Sequence, residues 1–111
     1  MSLDRDVEKV SGWLGISSKS PDAKRASEIA VDFTELSAKQ VGALTFIKAS
    51  EKMIQMHLDY DLPQLIKDTL KEANEIKDYE VRNAVKSYVI SQEWRINYVL
   101  CNYVHERIRD N

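Results

Sequence analysis

From Ala23 onward the apolar residues return every three or four positions. Ala23, Ala26, Ile29, Ala30, Phe33 and Leu36 fall on one helical face, and Lys24, Arg25, Glu28, Asp32 and Glu35 fall on the other. That period belongs to an amphipathic helix. Its start is marked by Ser20-Pro21-Asp22: a capping hydroxyl, a proline where no backbone donor is needed, and an acid near the positive end of the helix dipole. The spacing predicts a helix over residues 21–36. Ser37 followed by Gln40 has the form of a capping box, and the apolar phase changes there. Beyond Gly42, the residues Ala43, Phe46, Ile47, Ser50, Met53, Ile54 and His57 share a face. A second helix is therefore expected over 38–60, with one long bent helix as the alternative.

Asp61-Leu-Pro63-Gln64 repeats the cap signal. It opens a helix expected over 62–77, with Leu62, Leu65, Ile66, Thr69, Leu70, Ala73 and Ile76 on its apolar side. Asp78 caps the last segment. From Tyr79 to Arg109 there is neither Gly nor Pro, so a helix is expected over 79–109, about 45 Å long at 1.5 Å per residue. At the other end, Asp4 caps a short helix over 4–14 that carries Val7, Val10, Trp13 and Leu14 and yields to a loop at 15–20. These elements predict an all-α protein: one domain, an antiparallel bundle of four to five helices with a long C-terminal helix.

Composition narrows the function classes. The chain has 111 residues, 43% hydrophobic and 31% charged, with 16 basic and 18 acidic side chains and a net charge of -2. Bulk positive charge is therefore not a route to nucleic acid, although a local basic face remains open. Three Gly and two Pro are too few for the turns of an all-β fold. A single Cys excludes a disulfide framework and a cysteine zinc site. No long apolar run suggests a membrane span, and no leader pattern opens the chain, so a cytoplasmic protein without membrane contact is expected.

Candidate chemistry is sparse. His57 stands four residues before Asp61, a spacing that would suit an acid/base pair or the start of a metal site. Yet no Glu-x-x-His or His-Glu-x-x-His motif accompanies it. The expected role is a partly buried histidine bonded to Asp61 or to a backbone carbonyl. His105 lies near Arg95, Arg107 and Arg109 but ten residues from Arg95, out of phase with it, and is expected in a solvated terminal turn. Cys101, flanked by Val99, Leu100 and Val104, has no base beside it to activate a thiol. No phosphate loop or dinucleotide fingerprint can be written with these glycines. No catalytic, metal or cofactor site is assigned, and a non-enzymatic protein is expected. Three basic pairs at i,i+4, Lys48/Lys52, Lys67/Lys71 and Arg82/Lys86, are the candidate nucleic-acid contacts.

The last helix is the most informative segment. Val81, Val85, Tyr88, Val89, Ile96, Val99, Leu100 and Tyr103 form a core stripe. Ile90, Trp94, Tyr98, Cys101 and Ile108 form a second one on nearly the opposite side. A helix apolar on both sides is covered on both sides. Either the N-terminal helix covers the second stripe through Trp13, or another molecule does. Aromatic-rich patches of this kind mark interfaces. The expected function is a helical interaction or scaffold subunit that homodimerises, or docks into a larger assembly, through its C-terminal helix. The alternative is a nucleic-acid-associated subunit that holds the phosphate backbone with the basic pairs.

Overall fold

The computed structural model describes the backbone of residues 3–110 and the side chains of residues 6–107. Five α-helices follow in order: α1 (Leu3–Leu14), α2 (Ala23–Phe46), α3 (Glu51–Met56), α4 (Leu62–Ala73) and α5 (Tyr79–Asp110). A π-helical turn, His57–Asp61, joins α3 to α4 without a break. The chain thus forms three long rods, α2, the run 51–73 and α5, that run up, down and up, with α1 folded back along the first half of α2. No strand occurs among the described residues, and the all-α class follows.

The core is continuous along α5. Near its start, Val81 and Val85 pack with Val10 and Leu14 of α1, with Ala26, Ile29 and Ala30 of α2, and with Ala73 and Ile76. The alanines are the reason α1 fits there, because small side chains let helices approach closely. Further along, Val89, Ile96 and Leu100 meet Phe33, Ala49, Ile54, Leu62 and Ile66. The rods are also tied by polar contacts. The Thr34 hydroxyl donates to the Ala30 carbonyl at 2.8 Å and stands 2.7 Å from the Tyr88 hydroxyl, which is left to donate to it. Asp22 accepts from the Asp78 backbone N–H at 3.1 Å, pinning the α4–α5 connection to the start of α2. Asp78 in turn caps α5, its Oδ1 accepting from Glu80 and Val81 at 2.9 and 3.2 Å.

Several boundaries differ from those the pattern predicts. There is no break at Ser37. Its hydroxyl donates back to the Thr34 carbonyl at 3.1 Å, and the residue is buried inside α2. The helix of 21–36 starts instead at Ala23, because Ser20 forms a turn that accepts from the Asp22 N–H at 3.4 Å. The true break falls at residues 47–50, and Ser50, expected on the apolar face, is the cap: it accepts from the Met53 N–H at 3.2 Å. With the break there, one helical phase does not run through 43–57. Only Ile54 and His57 of the predicted face are buried, and Phe46 is 89% exposed. Asp61 caps nothing; the helix passes through it. The run ends at Ala73, short of residue 77.

The end of α2 is concealed by its chemistry. Both α1 and α2 close with the same motif. Ile16 donates to the Ser11 carbonyl and Gly15 to that of Gly12; Ala49 donates to Leu44 and Lys48 to Thr45. Each motif needs one left-handed residue. Gly15 supplies it at φ 72, whereas in α2 a lysine, Lys48, is held at φ 51. A side chain with a Cβ pays for that conformation and glycine does not. Lys48→Gly is expected to raise stability by about 0.5–1 kcal/mol, read as a higher urea midpoint at unchanged slope.

Candidate interaction surface

The inner stripe of α5 sets which way its other side faces. Val81, Val85, Val89, Ile96 and Leu100 are buried, and Val85, Val89 and Leu100 are completely so. Trp94 lies nine residues after Val85, half a helical turn round from it at 100° per residue. Its side chain is consequently 76% exposed, that of Tyr98 70% and that of Ile90 46%. Cys101 is exposed on the same side. Ile108 continues the stripe in the sequence, but its side chain lies outside the described residues. Val99, expected in the core stripe, is 45% exposed.

This outward band carries no charge over five turns. Ile90, Trp94, Tyr98 and Cys101 run along its middle; Ser87, Ser91, Asn97 and Asn102 flank them, and His105 follows. Nearly a third of the chain is charged, and a solvated helix face normally takes its share of Lys and Glu. The N-terminal helix does not cover the band. α1 buries Val10 and Leu14 beside Val81 and Val85, on the side of α5 away from Trp94. Trp13 itself is half-exposed, with the Lys9 ammonium 5.8 Å from its ring.

The basic pairs do not form one patch. Lys67 and Lys71 line a shallow groove with Pro63, Leu70 and Asn74, and Glu93 of α5 stands in the same groove. Arg82 turns inward enough to donate to the Ile76 carbonyl at 3.4 Å and lies 5.4 Å from the Tyr79 ring. Lys86, its pair one turn further along α5, is half-buried as well. Neither side chain of this pair is fully exposed. Lys48 and Lys52 are exposed, but Lys48 stands in the break before the run 51–73, and Lys52 at its start is about 20 Å from Lys67 along the helix axis. On the opposite side of the molecule, a groove of about 540 Å³ between α2 and α4 has Phe33 and Leu65 in its lining and Asp32, Glu35, Asp68 and Glu72 around them.

His57 sits in the π turn and is 3% exposed. The wide turn is explained by Pro63, which has no N–H to donate and whose ring crowds the carbonyl four residues back. An extra residue in the turn relieves that clash, and the helix continues. The Asp61 carboxylate stands 3.8 Å from Nδ1, beyond hydrogen-bond distance, so the bond expected between them is not made. Nε2 is buried with no partner. Burial holds the His57 pKa below its ordinary 6.5, outweighing the attraction of Asp61. Among the described residues no three His, Cys, Asp or Glu side chains gather as a metal cage would require. No helix there is long and apolar enough to cross a membrane. No protein family, curated protein or solved structure matches the chain.

Because folding lowers the His57 pKa, the unfolded chain binds that proton more tightly. His57 therefore leaves stability unchanged above pH 6.5 and erodes it as pH falls below that value, until the folded form also protonates. Replacing it with a residue of similar bulk and no titration removes this slope. Denaturation of wild type and His57→Leu at about pH 7.5 and about pH 5.5, on either side of the ordinary histidine value, checks it: wild type should lose more stability between the two than the variant. Equal losses would show that His57 is not the buried, neutral group described.

Proposed function

We propose that this protein is a non-enzymatic helical interaction subunit, and that the outward face of α5 is the surface through which it joins a second protein molecule. The observation that supports this reading is the uncovered Trp94–Tyr98 pair in the middle of a charge-free band. Burying one such aromatic contributes about 2–3 kcal/mol. In a domain whose net stability is commonly about 5–15 kcal/mol, two aromatics left in water are an omission that a partner would correct. The groove between α2 and α4 supports the reading less well, because its acidic rim is what an ordinary solvated face offers.

The nucleic-acid reading has weaker support. Its lysines are spread along the length of the molecule, and the one groove that gathers two of them also holds Glu93. A phosphate-binding surface would concentrate its cations and would show a steep salt dependence.

Trp94→Asp tests the preferred reading. The position is mostly exposed, so circular dichroism should show an unchanged helical fold, with a stability change within about 0.5 kcal/mol. Light scattering should show wild type larger than one chain at high concentration and the variant as a single chain. A wild type that remains a single chain and retains no protein partner through α5 would end the proposal. A mobility shift with nucleic acid at low salt, lost in a Lys67→Glu/Lys71→Glu double variant, would favour the alternative.

A further inference from the structure

The band on α5 carries a pattern that selects its occupant. In steps of seven residues it presents Ser87, Trp94, Cys101 and then, in the sequence, Ile108. Seven is the repeat at which two helices stay in register along a shared left-handed seam. The sizes along the seam alternate: small, large, small, large. Read backwards, the same series runs large, small, large, small. A second copy laid antiparallel, centred between Asn97 and Tyr98, therefore sets each large residue of this series against a small one. Trp94 meets Cys101 of the second copy, Cys101 meets the other Trp94, and the Tyr98 rings pack near the two-fold axis. A parallel pair would force Trp94 against Trp94 in one layer and leave Cys101 facing Cys101 in another.

Area points the same way, and the uncharged band presents no obstacle. Two chains that each carry a net charge of -2 can meet along this band without burying an ion, whose desolvation would be costly. Aromatic side chains present about 150–250 Å² each. Trp94 at 76% exposure, Tyr98 at 70% and Ile90 at 46%, with their flanking small residues, give about 500 Å² per copy. Doubled, that reaches the roughly 1,000 Å² at which a specific interface begins, and it marks a pair that exchanges rather than one that is obligate.

We infer that the occupant of the α5 face is a second copy of this chain, packed antiparallel about a two-fold axis between Asn97 and Tyr98. The inference rests on the reading of α5 as the docking face and adds its partner and register. Cys101, the one cysteine of the chain, tests it directly. In the antiparallel register the two Cys101 residues are offset by about 10 Å along the helices, too far for a disulfide, which needs Cα atoms within about 7 Å. Position 97 nearly meets its own copy. The experiment oxidises wild type and Asn97→Cys/Cys101→Ser under identical conditions, with mass by light scattering and helix content by circular dichroism for each.

The expected result is a dimeric mass for both, rapid covalent dimer only in the double variant, and loss of that cross-link when Trp94→Asp is added. Rapid Cys101 cross-linking in wild type would overturn the antiparallel register while leaving the α5 face intact as the docking surface. A single-chain mass for wild type at all concentrations would overturn the second copy as the partner. A dimer that is indifferent to Trp94→Asp would overturn both this inference and the reading beneath it.

Discussion

Val85, Val89 and Leu100 of α5 have no contact with water, and the rest of the molecule is arranged around that fact. They lie on one line of a 32-residue helix, about 48 Å long at 1.5 Å per residue, which is close to the 52 Å length of the whole molecule. α1, α2 and α4 each bury their apolar side against part of this line. The two other rods and the short α1 are enough to cover one side of such a helix. They leave none to cover the other, so whatever apolar residues stand opposite Val85 must face outward. The exposed band is a geometric consequence of building a small bundle on one long helix.

The run 51–73 shows how the same arrangement handles a proline. Pro63 would ordinarily end or kink a helix, and the sequence around it reads as a start signal. The π turn at His57–Asp61 absorbs the misfit and keeps one rod where two were expected. It also leaves a histidine whose Nε2 is dry and unpartnered. π turns often mark functional sites; at this one the Asp61 carboxylate stands 3.8 Å from the ring, and among the described residues no group of three metal-ligating side chains gathers. Burial there holds the His57 pKa below its ordinary value, which ties stability to pH.

Much of the fold was legible in the sequence because helical period and burial are written in the same residues. The apolar stripes of 23–33, 62–76 and 81–100 locate the buried side of each rod, and Asp78 is the cap its position suggests. Breaks were legible only where a breaker carried them. Gly15 announces its left-handed turn; Lys48 adopts the same turn without any sign of it. Ser37 and Asp61 look like caps but are ordinary interior positions, since a capping side chain signals a start only where the preceding turn has actually ended. The spacing of the basic pairs likewise does not encode burial: Arg82 and Lys86 are both partly buried, and Arg82 donates to the Ile76 carbonyl. For the surface, the sequence identified the second stripe of α5 but not what lay over it. Deciding that required knowing that α1 packs at the far side, beside Val81 and Val85, a tertiary fact that no local pattern encodes.

The most direct measurement is the emission of Trp94 alone. The chain has two tryptophans, and Trp13→Phe leaves Trp94 as the only reporter in the band. In dilute solution its fluorescence should resemble that of tryptophan in water, and it should move to the blue, with reduced quenching by iodide, as protein concentration rises and the α5 faces meet. Blue emission that dilution does not change would place Trp94 in the core of the single chain. Water-like emission at every concentration would mean that a second copy never covers it. Either result would contradict an account in which α5 is built to be buried on both sides.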